Sequence, residues 1–112
     1  MVLRIAVLHH ARSFFPLDLG PDDYALIMTR GHEHDLRVLR AALRSPARYI
    51  GMMGSRHKRA FVYDHLLQEG FTTADFERVH SPIGLPISAE TPFEIAISIA
   101  AELIQLRAIK GD

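Results

Sequence analysis

Arg48–Gly70 reads RYIGMMGSRHKRAFVYDHLLQEG, and how it parses decides the fold. Arg48–Met53 is a short apolar run of buried-strand type. Gly54-Ser55 makes a tight turn, with Ser55 placed to cap a helix. Arg56–Gln68 follows with Ala60, Val62, Tyr63, Leu66 and Leu67 at helical spacing, and Gly70 stops it. A buried strand that turns directly into a helix is half of a βαβ unit, so the neighbouring strands are expected to be parallel to it.

The flanking sequence fits that reading. Leu3–Leu8 and Tyr24–Thr29 are two more apolar runs of strand type. Residues 9–23 read as irregular, with a turn marked by Pro16, Gly20 and Pro21. His32–Leu43 carries Leu36, Leu39, Ala42 and Leu43 on one helical face and Arg37, Arg40 and Arg44 on the other, and Ser45-Pro46 ends it. Thr73 is placed to cap a short helix through Val79, and Ser81–Glu90, with two prolines and a glycine, reads as a loop. Thr91-Pro92-Phe93-Glu94 is a strong helix start, with a Thr cap, proline at the first helical position and Glu three after the cap. The order β, loop, β, α, β, α, α, α predicts an α/β fold with a short parallel sheet of about three strands flanked by helices.

The final helix, Thr91 to about Lys110, is apolar over most of its circumference. Only Glu94, Ser98, Glu102 and Gln105 form a polar stripe, and the glutamates argue against a membrane span. Such a helix is expected to be covered on two sides. A homodimer or larger homo-oligomer is therefore expected, using this helix, an exposed sheet edge, or both.

The 112 residues allow one domain, and 48% hydrophobic with 23% charged residues is the composition of an ordinary globular chain. Thirteen Lys and Arg balance thirteen Asp and Glu, which argues against a general nucleic-acid or membrane-surface binder. The chain has no cysteine. That excludes disulfides, zinc–thiolate and iron–sulfur sites and a thiol nucleophile, and it fits a cytoplasmic setting. No signal peptide is read at the N-terminus. The charge is unevenly spread. Residues 30–59 hold eight Lys and Arg against Glu33 and Asp35, whereas residues 60–112 hold three bases and eight acids. One anion-attracting face is the functional reading of that imbalance, and solvated helix faces the structural one.

Two segments fall where open parallel sheets bind ligands, beyond the carboxyl ends of strands. Thr29-Arg30-Gly31-His32-Glu33-His34-Asp35 follows the second strand. His32 and Asp35 share a helical face, so the carboxylate is placed to orient the imidazole; alternatively Asp35 only complements the helix N-terminus. No metal site is predicted there, because His32 and His34 diverge on a helix. Gly51-Met52-Met53-Gly54-Ser55-Arg56-His57-Lys58-Arg59 follows the third strand. Gly54 permits close backbone approach, and Ser55, Arg56, Lys58 and Arg59 surround the free N–H groups of a helix start, a setting for a phosphate. Cations there oppose the helix dipole, and a local rule broken at a strand end suggests function. His80, Gly84 and Glu90, around the proline loop, are secondary candidates whose alternative role is packing.

Taken together, TRGHEHD, LRAALRSPARYIGMMGSRHKR, EGF and RVHSPIGLPISAETPFEIAISIAAELI resemble the xanthine dehydrogenase accessory factor family of the XdhC/CoxI type, in its C-terminal Rossmann-like domain. The resemblance covers roughly residues 22–106. It implies a three-layer Rossmann-like fold over residues 1–112 as one truncated domain, without the usual first Gly-rich strand-turn-helix unit. Matched to family motifs are Thr29, His32 and Asp35, then Gly51, Gly54, Ser55 and Arg56, then His80, Pro82, Gly84, Glu90, Thr91 and Pro92.

The family's role is maturation of molybdenum hydroxylases: binding the molybdenum cofactor (molybdopterin), protecting it during sulfuration and passing it to the apo-enzyme. The resemblance thus implies a cytoplasmic chaperone rather than a catalyst, with an apo-hydroxylase and a sulfur donor protein as partners. The alternative is an NAD(P)-binding oxidoreductase or dinucleotide sensor with an incomplete Rossmann fold.

Overall fold

The computed structural model describes residues 4–8, 19–29 and 32–109. They include strands β1 (Arg4–Leu8), β2 (Asp23–Ile27), β3 (Tyr49–Met52) and β4 (Val79–His80), and helices α1 (His32–Leu43), α2 (Arg56–Gln68), α3 (Thr73–Phe76) and α4 (Pro92–Ile109). The chain divides into two compact units, Val2–Pro82 and Ile83–Asp112.

The first unit holds one sheet in the order β1-β2-β3-β4. Every pairing is parallel, with Ile5 beside Tyr24, Tyr24 beside Tyr49, and Ile50 beside Val79. The α/β architecture and the parallel pairing of the second and third strands agree with the sequence reading. The fourth strand does not appear in that reading, which runs a helix through Val79. Helix α3 instead stops at Phe76, and Thr72, not Thr73, is its cap, in a capping box with Asp75. Two residues of strand are too few to show alternation, so only the pairing with Ile50 and Gly51 reveals β4.

Alternate residues of the central strands face one core. Ala25 and Ile27 of β2 and Ile50 and Met52 of β3 pack with Val38, Leu39, Ala42 and Leu43 of α1 and Val62 and Leu66 of α2. Each large aliphatic side chain fully buried there contributes roughly 1.5–3 kcal/mol. The other alternation places Tyr24 and Tyr49 on the opposite face, with ring centroids 6.0 Å apart. His80 extends the row, stacked 4.8 Å from Tyr49.

Polar contacts tie the helices in place. Arg40 of α1 makes a bidentate pair with Glu69 past the end of α2, at 2.6 and 2.7 Å. Arg78 donates to three backbone carbonyls, Leu43 O at 3.2 Å, Ser45 O at 3.0 Å and Ala47 O at 2.8 Å. It satisfies carbonyls left open where α1 ends, and so fixes the turn that leads into β3.

In the second unit, Thr91 Oγ1 accepts from Glu94 N at 3.1 Å, and Glu94 Oε1 accepts from Glu90 N at 2.9 Å. The start of α4 is thus capped as its sequence predicts. Its faces are not as expected. Ser98 and Glu102, from the polar stripe, are buried with Ile99 and Leu103, whereas Phe93, Ile97 and Ile104 are exposed. The loop before the helix supplies the reason. Glu102 Oε1 accepts from Gly84 N at 3.0 Å, and Ser98 O accepts from Leu85 N at 3.1 Å. Gly84 has φ +96°, and a Cβ there would collide with Ser98 Oγ and lie 3.3 Å from Ile99 N. Among the described residues no helix is long and apolar enough to cross a membrane.

Candidate functional site

Thr29 lies two residues past β2 and is buried. Its Oγ1 donates to Oδ1 of Asp35, a carboxylate in the first turn of α1 with 0% exposure. The second oxygen, Oδ2, is paired with Lys58 Nζ. Lys58 comes from the first turn of α2 and crosses over Gly54 to reach it. A Cβ at Gly54 would lie 2.7 Å from Lys58 Cδ, and Gly54 has φ +143°, so glycine meets both a steric and a conformational demand. The end of β2, the start of α1 and the β3–α2 turn are therefore joined through one buried carboxylate.

The β3–α2 turn is held tightly. Met53 N donates to Ile27 O at 3.0 Å, which extends the ladder one residue past the end of β3. Ser55 caps α2, its Oγ accepting from Lys58 N at 3.2 Å, as expected. Arg59 Nη1 donates to Ser81 O at 2.5 Å and so attaches the residue after β4 to the same turn. Segments following three adjacent parallel strands meet at one edge of the sheet, where ligands bind in this class of fold.

The basic cluster is sorted by these contacts. Lys58 and Arg59 are partly buried and engaged with Asp35 and Ser81. Arg56 and His57 are exposed. The first turn of α2 has no acidic side chain, so nothing acidic on the helix itself occupies its positive end. Elsewhere in the net-positive stretch, Arg44 lies over Phe71 at 5.6 Å and Arg48 over Tyr24 at 5.8 Å. Much of the positive charge concentrated in residues 30–59 therefore serves packing and ion pairing.

The other candidates are distributed as follows. Gly51 is buried inside β3, in register with Leu26 and His80. His80 is partly buried against Tyr49. Gly84 and Glu90 belong to the second unit, where Gly84 allows close approach to α4 and Glu90 takes part in its cap. Gly31 lies outside the described residues, as does the side chain of His32, so the expected His32–Asp35 pairing does too. Arg78, with its three carbonyl acceptors, does not stand out in the sequence, since a lone arginine after a short helix carries no pattern. The pairing of Asp35 with Lys58 also has no local signal, because the two belong to different helices.

The match to known proteins covers nearly all of this framework. The model of the XdhC Rossmann domain matches residues 3–103, so it also takes in β1, which lies ahead of the motifs quoted above. An uncharacterized protein, YqeB, of Escherichia coli K12 is 36% identical over 102 residues, covering 88% of this chain and 18% of its own length. A probable xanthine dehydrogenase subunit of Bacillus subtilis 168 is 36% identical over 87 residues, covering 78% of this chain and 24% of its own. A crystal structure of a xanthine dehydrogenase from Bacillus halodurans superposes with a TM-score of 0.69 at 38% identity, over 86% of this chain and 26% of that one. The chain thus spans about a quarter or less of the length of these relatives. With the family model matched across the sheet, the motif turns and most of α4, the chain belongs to the XdhC Rossmann domain family.

Proposed function

We propose that this domain acts in the maturation of xanthine dehydrogenase-type molybdenum hydroxylases. In this reading it holds the molybdenum cofactor while its terminal sulfur is added, then gives it up to the apo-enzyme. Family membership and the two relatives named as xanthine dehydrogenases support the hydroxylase connection. The observation that carries the reading is the junction of Thr29, Asp35, Lys58, Arg59 and Ser81, which gathers three strand ends beside an α2 N-terminus free of acidic side chains.

The residues present suit the phosphate end of a molybdopterin. Free N–H groups at the start of α2, between the Ser55 cap and the exposed Arg56 and His57, are the donors for it. Lys58 and Arg59 tie that turn to Asp35 and to the Ser81 carbonyl. The bound cofactor supplies redox chemistry to the client enzyme, and this chain supplies binding and protection. These residues include no cysteine, so in this reading the sulfur is supplied from outside this domain, by a donor protein.

Anaerobic purification from cells that make the cofactor tests this. Co-purifying molybdenum, with a fluorescent pterin after oxidation, is the expected result. A bound nicotinamide nucleotide would favour the dinucleotide-binding alternative. No ligand at all would contradict cofactor retention.

A further inference from the structure

The cations in the first turn of α2 are not equivalent. Arg56 is exposed, and Arg59 is seated on the uncharged Ser81 carbonyl. Lys58 instead meets a carboxylate, Oδ2 of Asp35. Its stem doubles back over the turn that leads into α2, with Cδ 2.7 Å and Cε 3.4 Å from where a Cβ on Gly54 would stand. The carboxylate has other reasons to stay where it is. Thr29 Oγ1 donates to its Oδ1, and it lies in the first turn of α1, where the positive helix end favours a negative charge. The lysine is the movable member of the pair, a flexible stem whose side chain is 19% exposed against 0% for Asp35.

We infer that Asp35 sets the strength of anion binding at the start of α2 by holding Lys58 away from the ligand. This rests on the proposed reading of that helix start as the phosphate site. The positive end of α2 and Arg56 attract the phosphate, while the charge of Lys58 is neutralised by Asp35. Asp35 is thus a positioning residue that acts on the ligand through Lys58. A domain that must give its ligand up gains from the arrangement, because one engaged cation keeps the complex weaker than the full basic cluster would make it. A purely structural pair predicts the opposite sign: loss of Asp35 would loosen the turn and weaken binding.

Inorganic phosphate is the probe, titrated by calorimetry at low and high salt, because it tests the anion site without the pterin. Asp35→Asn keeps an acceptor for Thr29 and frees Lys58. It is expected to bind phosphate about tenfold more tightly than the parent, with a steeper loss on adding salt. Asp35→Asn/Lys58→Met, which lacks the freed cation, is expected to lose that gain. Circular dichroism shows that each variant is folded. A phosphate affinity unchanged or lowered in Asp35→Asn overturns the inference, as does a double variant that binds as tightly as Asp35→Asn. A double variant about tenfold weaker than the parent also overturns it, since Lys58 would then already serve the ligand, and this arm stands where Asp35→Asn alone does not fold. Absence of phosphate binding in all three chains overturns it too. Phosphate binding tightened by Asp35→Asn in a chain that retains no molybdenum cofactor supports the inference and contradicts the cofactor reading.

Discussion

Lys58 on α2 crosses Gly54 to pair with the buried carboxylate of Asp35 on α1. A lysine in the first turn of a helix opposes the helix dipole, and its ion pair gives the physical reason for its position. Removing only the cation leaves a buried charge without its partner. Lys58→Met should therefore destabilise the fold by about 3–5 kcal/mol. Asp35→Asn/Lys58→Met should recover much of that loss, because the amide still accepts from Thr29. Urea denaturation of both single variants and the double measures this, and a double-variant loss equal to the sum of the single losses would mean that the pair is not coupled.

Arg78 is predicted to matter as much to stability as a core residue. Its guanidinium satisfies three carbonyls around the end of α1. Arg78→Ala should destabilise by about 3 kcal/mol, since each hydrogen bond involving a charged group is worth about 1.5–3 kcal/mol and the losses overlap. Arg78→Lys should rescue little, because an ammonium lacks the planar fork. The shift in urea midpoint reads both.

The Tyr24 hydroxyl is buried and makes no hydrogen bond among the described residues. A buried hydroxyl without a partner is destabilising, whereas its ring is well packed beside Tyr49. Tyr24→Phe should hold stability level or raise it by about 1 kcal/mol. Thermal denaturation checks this, and a marked loss would reveal a polar partner of the hydroxyl.

The Arg40–Glu69 pair makes stability depend on pH. The guanidinium holds the Glu69 carboxyl below the ordinary carboxylate range, chiefly through its hydrogen bond. Where the folded state lowers a carboxyl pKa, the unfolded chain binds more protons, so stability is lost as the medium turns acid. The contribution is present above the unfolded pKa and falls away below it, as pH drops through the folded value. Glu69→Gln should be less stable than the parent at neutral pH, and the difference should shrink in acid. A difference in urea midpoint that stays constant with pH would contradict the assignment.

Much of the fold was legible because strong local signals coincide. His32–Leu43 and Arg56–Gln68 match α1 and α2 at both ends, since Ser45-Pro46, Ser55 and Gly70 are unambiguous stops and caps. Strand β4 was not legible, because two residues take their structure from Ile50 and Gly51. The inward turn of Ser98 and Glu102 was hidden for a similar reason: it follows from the loop at Gly84, which no periodicity in α4 records. At the candidate site the residue types were visible and their partners were not. Lys58 and Arg59 read as free cations alongside Arg56, and only the tertiary structure separates the two that are engaged from the one that is exposed.

In the proposed function an anionic pterin cofactor binds at the start of α2. Titration of the chain with molybdenum cofactor released from a molybdenum hydroxylase, under anaerobic conditions and followed by equilibrium ultrafiltration at low and high salt, tests it most directly. One cofactor per chain is expected, with weaker binding at high salt and an affinity lowered about tenfold or more in Arg56→Glu with the fold unchanged. Absence of binding, or an affinity that neither salt nor Arg56→Glu alters, would contradict it.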